Sequence, residues 1–145
     1  MKFDELKLLV AISRAKKAAL GGSDPITDAD RLRYADVVRD EYTTITGDIS
    51  FPWTTSDVIQ LAVNHRKQTQ TKIKADIAEA HGYECFWRHR AKGPCCDEAE
   101  GGHIVPRSSG ADLTVANGMI ECRAHNNQRR ERSIEEYLSS NDTTE

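Results

Sequence analysis

All four cysteines of the chain fall between positions 85 and 122, as Cys85, Cys95, Cys96 and Cys122, with His89, His103 and His125 among or just beyond them. This crowding constrains the C-terminal half more than any other feature. In a chain without an export signal, clustered cysteines beside histidines point to a bound metal rather than to disulfides. The surrounding residues agree. Short strands are expected over 83–87 and 103–106, separated by a loop rich in charge, Gly, Pro and Cys, and a helix-prone stretch follows from about Ala116. Two short strands and one helix bury little apolar surface, so such a unit needs a metal staple to be stable.

The first 81 residues read as helical. Phe3, Leu6, Leu9, Val10 and Ile12 recur at helical spacing, and Gly21-Gly22 closes that segment. Thr27 or Asp28 can cap a second helix whose Leu32, Tyr34, Val37 and Val38 face a core. After a connecting loop over 47–52, Thr55 or Ser56 can cap a third helix carrying Val58, Leu61, Ala62 and His65 on one side. Ile73, Ile77 and Ala80 continue an apolar stripe to Gly82, a natural stop. The polar centre over 64–71 leaves open whether one helix or two spans 56–81. Trp53 and Trp87 are expected as core or loop anchors. Residues 1–20 carry acids near the front and no small-residue cleavage site, which reads as an amphipathic helix and not as a secretory leader. With no run of eighteen apolar residues to span a membrane, the expected location is the cytoplasm.

Net charge is −3 over 145 residues, which excludes a strongly basic nucleic-acid binder but says nothing of local patches. Between Val58 and Ala75 there is no acid, while Arg66, Lys67, Lys72 and Lys74 are basic. A second patch holds Arg123, Arg129, Arg130 and Arg132 against Glu131 alone. A basic face on an acidic molecule suits salt-sensitive binding to a phosphate backbone. The amides and hydroxyls interleaved in the first patch can also reach base edges.

Four segments stand in order after Gly82: Cys85, then Gly-His-Ile-Val-Pro-Arg-Ser-Ser-Gly at 102–110, then Asn117, then Cys-Arg-Ala-His-Asn-Asn-Gln-Arg at 122–129, trailed by Glu135 and Glu136. The succession of His103, Asn117 and Asn126 in these settings resembles the HNH endonuclease family, in its zinc-stapled branch, over about residues 78–138. The resemblance implies an α+β fold: a helical region (1–81) that packs, dimerises or grips DNA, a ββα-metal unit with a structural zinc (82–138), and a flexible tail (139–145). It implies that His103 deprotonates the water that attacks phosphorus, that Asn117 orients the loop or the base, and that Asn126 binds a catalytic divalent ion, Mg²⁺ or Mn²⁺. An imidazole titrates near neutrality and suits that task. A hard divalent ion stabilises charge on phosphate and leaving oxygen. Arg129, where the family usually has Lys, and Arg130 would hold the phosphate.

The resemblance also orders the zinc ligands. Cys122 and His125 form a Cys-x-x-His pair at the helix start, and Cys85 is one member of the upstream pair. The usual partner position, Arg88, cannot ligate, so the fourth bond falls to Cys95, with Cys96 as alternative and His89 as rival. One departure stands out. The family places Asp or His before the motif histidine as a metal ligand, and here that position is Gly102. Glu100 or Asp112 are the candidate replacements.

The expected function is therefore a metal-dependent endonuclease hydrolysing DNA phosphodiesters with His103 as general base. A homodimer is one way for it to cut both strands. The alternative, which Gly102 favours, is a zinc-stabilised DNA-binding module without catalysis.

Overall fold

The computed structural model describes residues 1–22, 25–67, 69–90 and 92–141, leaving aside the side chains of 63–70. The chain is α+β. Its described elements are helices α1 (Phe3–Leu20), α2 (Asp28–Thr46), α3 (Thr55–Lys67) and α4 (Thr69–His81), strand β1 (Ala99–His103), a 3-10 turn (Arg107–Ser109), strand β2 (Gly118–Cys122), and helices α5 (Arg123–Arg129) and α6 (Ile134–Ser139). Two compact units form, one from Met1–Leu6 with Ile73–Glu145 and the other from Lys7–Lys72. No helix among the described residues is long and apolar enough to cross a membrane.

In the Lys7–Lys72 unit the apolar stripe of α1 is buried through Leu8, Leu9, Val10, Ala11, Ile12 and Ala15. Gly21 and Gly22 end α1 at positive φ, with the Gly22 amide donating back to the Lys16 carbonyl, the closure that glycine makes without steric cost. Helix α2 opens on a capping box in which Thr27 Oγ1 accepts from the Asp30 amide and Asp30 caps the Thr27 amide in return. It buries Tyr34, Ala35, Val38 and Tyr42, and Tyr34 OH donates to the Ile12 carbonyl at 3.3 Å. Leu32, expected in that core, is instead exposed, because the buried face of α2 passes through Tyr34 and Val38 and leaves Leu32 outside its arc. The cap of α3 is Thr54, one residue ahead of the expected Thr55 or Ser56, since Thr54 and Asp57 exchange side-chain and amide bonds. Trp53, Tyr42 and Phe51 pack edge to face, with centroids 5.1–5.5 Å apart. Two helices, not one, span the region after Thr54. His65, Arg66 and Lys67, which belong to the acid-free stretch, have side chains outside the described set.

In the other unit β1 and β2 pair antiparallel, with Ala99 opposite Cys122, Gly101 opposite Ile120 and His103 opposite Gly118. Helix α5 follows β2 directly, which completes a ββα unit. The strands differ from those expected. The 83–87 segment is a run of bends and turns, with Arg88 donating to the Cys85 carbonyl and Arg90 to that of Trp87, and its one backbone-to-backbone bond to β2 among the described residues runs from the Phe86 amide to the Ile120 carbonyl. The first strand begins at Ala99, ahead of the expected 103–106. The stretch after Ala116 forms β2 before any helix.

Glycines hid β1 from a pattern reading, and the structure shows why they are there. A Cβ at Gly101 would meet Leu113 Cδ2 at 3.0 Å, and one at Gly102 would meet Glu121 Oε1 at 1.8 Å. Neighbouring side chains fill the space that strand side chains would take. Strand β2 is buried at every position, and a short run buried on both faces has no period to separate strand from helix.

Trp87 sits at the centre of this unit's core with Cys85, Met119, Cys122 and Tyr137, and Phe3, Phe86, Ile104 and Ile134 pack around them. Trp87 meets Tyr137 edge to face at 4.7 Å. Helix α6 brings Tyr137 there after a Ser133–Glu136 capping box. Of the tail expected over 139–145, residues 142–145 lie outside the described residues. Ser140 is held in place, accepting from Lys92 Nζ through both its carbonyl and its hydroxyl oxygens.

Candidate functional site

The turn over 85–90, the loop before β1, the end of β2 and the first turn of α5 meet at one point. There Cys85, Cys95, Cys122 and His125 bring their ligand atoms within 4.8 Å of one another. His125 Nδ1 lies 3.6 Å from Cys85 Sγ, 3.7 Å from Cys95 Sγ and 3.0 Å from Cys122 Sγ. A tetrahedron with zinc–sulfur bonds of about 2.3 Å and zinc–nitrogen bonds of about 2.0 Å has nitrogen–sulfur edges of about 3.5 Å. The donor set therefore fits such an ion in both chemistry and spacing. All four cysteines are free thiols.

The ring of His125 is fully buried, and its Nε2 lies 2.9 Å from the Lys92 carbonyl. A carbonyl can only accept, so Nε2 carries the proton and Nδ1 presents its lone pair to the sulfurs, as a metal-binding histidine requires. The Cys122 amide donates to Cys85 Sγ at 3.2 Å, and the His125 amide to Cys122 Sγ at 3.4 Å. Such amides steady thiolate charge. Without a cation the thiols share protons unevenly: the hydrogen bond from Cys122 lowers the pKa of Cys85, while that same bond and burial push Cys122 up to about 12. Burial raises Cys95 as well.

Cys96, the alternative fourth ligand, faces elsewhere, accepting from the Ala124 amide at 3.4 Å. His89 is exposed and stands 3.8 Å from Glu84. Of the two adjacent cysteines only Cys95 joins the cluster.

The three motif residues lie around β1 and the loop that follows it. His103 ends β1 and Asn126 stands on α5. Both line a cleft of about 480 Å³ together with Gly101, Pro106, Arg107, Asn127, Arg129, Arg130 and Glu131. Asn117 works as a clamp on the loop between the strands. Its Oδ1 accepts from the Val105 amide at 2.7 Å, and its Nδ2 donates to the carbonyls of Val105 at 3.2 Å and Asp112 at 3.0 Å.

Behind His103 lies a buried ion pair that sequence reasoning missed. Glu121 on β2 and Arg129 on α5 are both essentially inaccessible to water. Arg129 Nη2 donates to Glu121 Oε1 at 2.7 Å and Nε to Oε2 at 2.8 Å, and Trp87 Nε1 donates to Oε2 at 2.6 Å. Arg129 Nη2 also reaches the His103 carbonyl at 3.0 Å, and Nη1 the Arg132 carbonyl at 2.8 Å. One guanidinium thus ties α5 to both strands. Its donors face protein oxygens, while Arg130, expected as a second phosphate contact, and Arg107 line the same cleft. The available clue was an acid inside the apolar run Met-Ile-Glu-Cys, because a buried carboxylate must find a partner.

The pair also explains Gly102. Its missing side chain is the room taken by the Glu121 carboxylate and by Arg129 Nη2, which lies 3.1 Å from where a Cβ would stand. Of the replacements considered, Glu100 is bound to Arg123 Nε at 2.8 Å, and Asp112 is exposed.

No protein-family model, no curated protein and no solved structure matches the chain. Fold and site together define a small α+β protein whose Cys₃His group can hold a metal such as zinc.

Proposed function

We propose that this protein is a metal-dependent endonuclease of the HNH type acting on DNA, its ββα unit stapled by zinc at Cys85, Cys95, Cys122 and His125. One observation carries the reading: His103 from β1 and Asn126 from α5 line a single cleft with Arg107 and Arg130. An imidazole, an amide oxygen and two cations are what hydrolysis of a phosphodiester asks of a surface. His103 takes the proton from a water molecule as its oxygen attacks phosphorus. Arg107 and Arg130 hold the phosphate through charge-assisted bonds. A divalent ion, Mg²⁺ or Mn²⁺, when bound at Asn126, stabilises negative charge on the phosphate and the leaving oxygen. Asn117 keeps the intervening loop, and Arg129 the His103 main chain, in the geometry this requires. Zinc held by these four residues would have no open position for substrate and would serve folding.

The second reading is a zinc-stabilised DNA-binding module without catalysis. The observation that favours it is Glu121 with Arg129 filling the place of the ligand missing at Gly102.

Nicking of supercoiled plasmid separates the two. The zinc-loaded protein should relax plasmid in Mg²⁺ or Mn²⁺, and His103→Ala should abolish this with zinc content unchanged. Binding without cleavage in every divalent metal tried would leave the module as the answer.

A further inference from the structure

Three of the four ligand groups in the Cys₃His cluster are buried and one is not. Cys122 and His125 have no accessible surface and Cys85 has almost none, while Cys95 is exposed. Cys95 also stands on an irregular stretch: it follows Gly93, at φ 83°, and Pro94, and residues 92–97 form neither helix nor strand. The other two sulfurs are fixed. Cys85 Sγ accepts from the Cys122 amide at 3.2 Å and Cys122 Sγ from the His125 amide at 3.4 Å, and both cysteines belong to the core around Trp87. All the ligand atoms lie within 4.8 Å of one another. A modest movement of the 92–97 stretch therefore brings Cys95 Sγ to the disulfide length of about 2.05 Å from either buried sulfur. Cys96 has no such access. Its Sγ accepts from the Ala124 amide at 3.4 Å and donates to the Glu98 carbonyl at 3.9 Å. Its Cα is also only about 3.8 Å from that of its neighbour, short of the about 4.4–6.8 Å that a disulfide usually spans.

We infer that Cys95 is an oxidation site through which a hydroperoxide unlocks the metal group. Coordination keeps the cysteine sulfurs as thiolates, the form that reacts. The exposed Cys95 thiolate attacks one oxygen of hydrogen peroxide; the O–O bond breaks, the sulfur gains a hydroxyl as a sulfenic acid, and hydroxide leaves. The thiolate of Cys85 or Cys122 then attacks that sulfur, the S–S bond forms, and a second hydroxide leaves. Two thiolates have given up two electrons, and one peroxide has become two hydroxides. The disulfide removes two of the four donors. One cysteine and His125 remain, too few to hold zinc, so the ββα unit loses its staple. Burial of Cys85, Cys122 and His125 makes Cys95 the point of entry among the four. The inference concerns the metal group alone and stands or falls independently of what the cleft at His103 does.

Treatment of the zinc-loaded chain with hydrogen peroxide tests this. Released zinc is read with a chromogenic chelator, sulfenic acid is trapped with dimedone, and disulfides are mapped by non-reducing peptide mass spectrometry. Dimedone should mark Cys95 first, each zinc released should match one disulfide, and every disulfide should join Cys95 to Cys85 or Cys122. Dithiothreitol with fresh zinc should restore the loaded protein. Cys96→Ser should release zinc within about twofold of the wild-type rate, and Cys95→His, which keeps a fourth ligand without a sulfur, should release it about tenfold more slowly or less. Should Cys95→His fail to load, the wild-type mapping decides. A Cys85–Cys122 disulfide formed without Cys95, first labelling at Cys96, or zinc retained after Cys95 is oxidised would overturn the inference. A wild-type chain that takes up no zinc would overturn it together with the metal centre.

Discussion

Gly102→Ala is the sharpest perturbation the fold offers. The added Cβ would lie 1.8 Å from Glu121 Oε1, 2.7 Å from its Cδ and 3.1 Å from Arg129 Nη2. Ordinary contact begins near 3.4 Å, so the carboxylate would have to retreat by more than an ångström. It has nowhere to go with its bonds intact: Trp87 and Arg129 hold it at 2.6–2.8 Å, and it has no exposed surface. The methyl therefore breaks the pair. Loss of a buried ion pair costs about 3–5 kcal/mol, a large part of the stability of about 5–15 kcal/mol typical of a domain. Gly101→Ala is the control one residue away. Its Cβ meets the end of a leucine side chain at 3.0 Å, which can turn aside, so a cost of about 1 kcal/mol is expected. Urea denaturation of the zinc-loaded proteins, followed by dichroism, compares the two. With a slope of about 1–2 kcal/mol per molar urea, Gly102→Ala should lower the midpoint by about 1.5 M or more. Equal midpoints for the two variants would refute the placement of the Glu121 carboxylate over Gly102.

Gly102→Asp would restore the carboxylate that the HNH resemblance expects, yet the same clash predicts lost stability and no gain in plasmid nicking; a more active Gly102→Asp protein would contradict this. Asn117→Ala removes three hydrogen bonds from the loop between β1 and β2, at a cost of about 1–3 kcal/mol, and limited proteolysis should cut that loop faster at unchanged zinc content. Zinc uptake should depend on pH. Cys122, raised to about 12, and Cys95, also raised, hold protons at neutral pH in the metal-free protein, and zinc must displace them. Apparent affinity should therefore rise with pH, about tenfold per unit for each proton displaced, and competition with a chelator at stepped pH would show a flat profile if the thiols were already ionised.

Helices were legible because their signals are local. Paired glycines after α1, Thr27 at the start of α2, and Gly82 after α4 each act within one turn of chain. The Cys₃His group was legible for a different reason: few residue types bind a metal such as zinc, and the chain keeps them close together in sequence. Choosing Cys95 over Cys96 needed the fold, since adjacent side chains diverge and only geometry says which one turns inward. The strands were misplaced because β1 contains Glu-Gly-Gly and β2 has no polar alternation. Both patterns follow from close packing between elements distant in sequence. The Glu121–Arg129 pair was hidden likewise. Whether an arginine grips a ligand or a buried glutamate depends on which strand passes behind it, and no spacing rule encodes that.

Native mass spectrometry of wild type, Cys95→Ser and Cys96→Ser bears most directly on the proposed metal centre at the Cys₃His group. One zinc per chain is expected in the wild type and in Cys96→Ser, with loss of the ion from Cys95→Ser. Zinc retained in full by Cys95→Ser, or a wild-type chain that carries none and keeps its fold in a strong chelator, would contradict the Cys85, Cys95, Cys122 and His125 assignment.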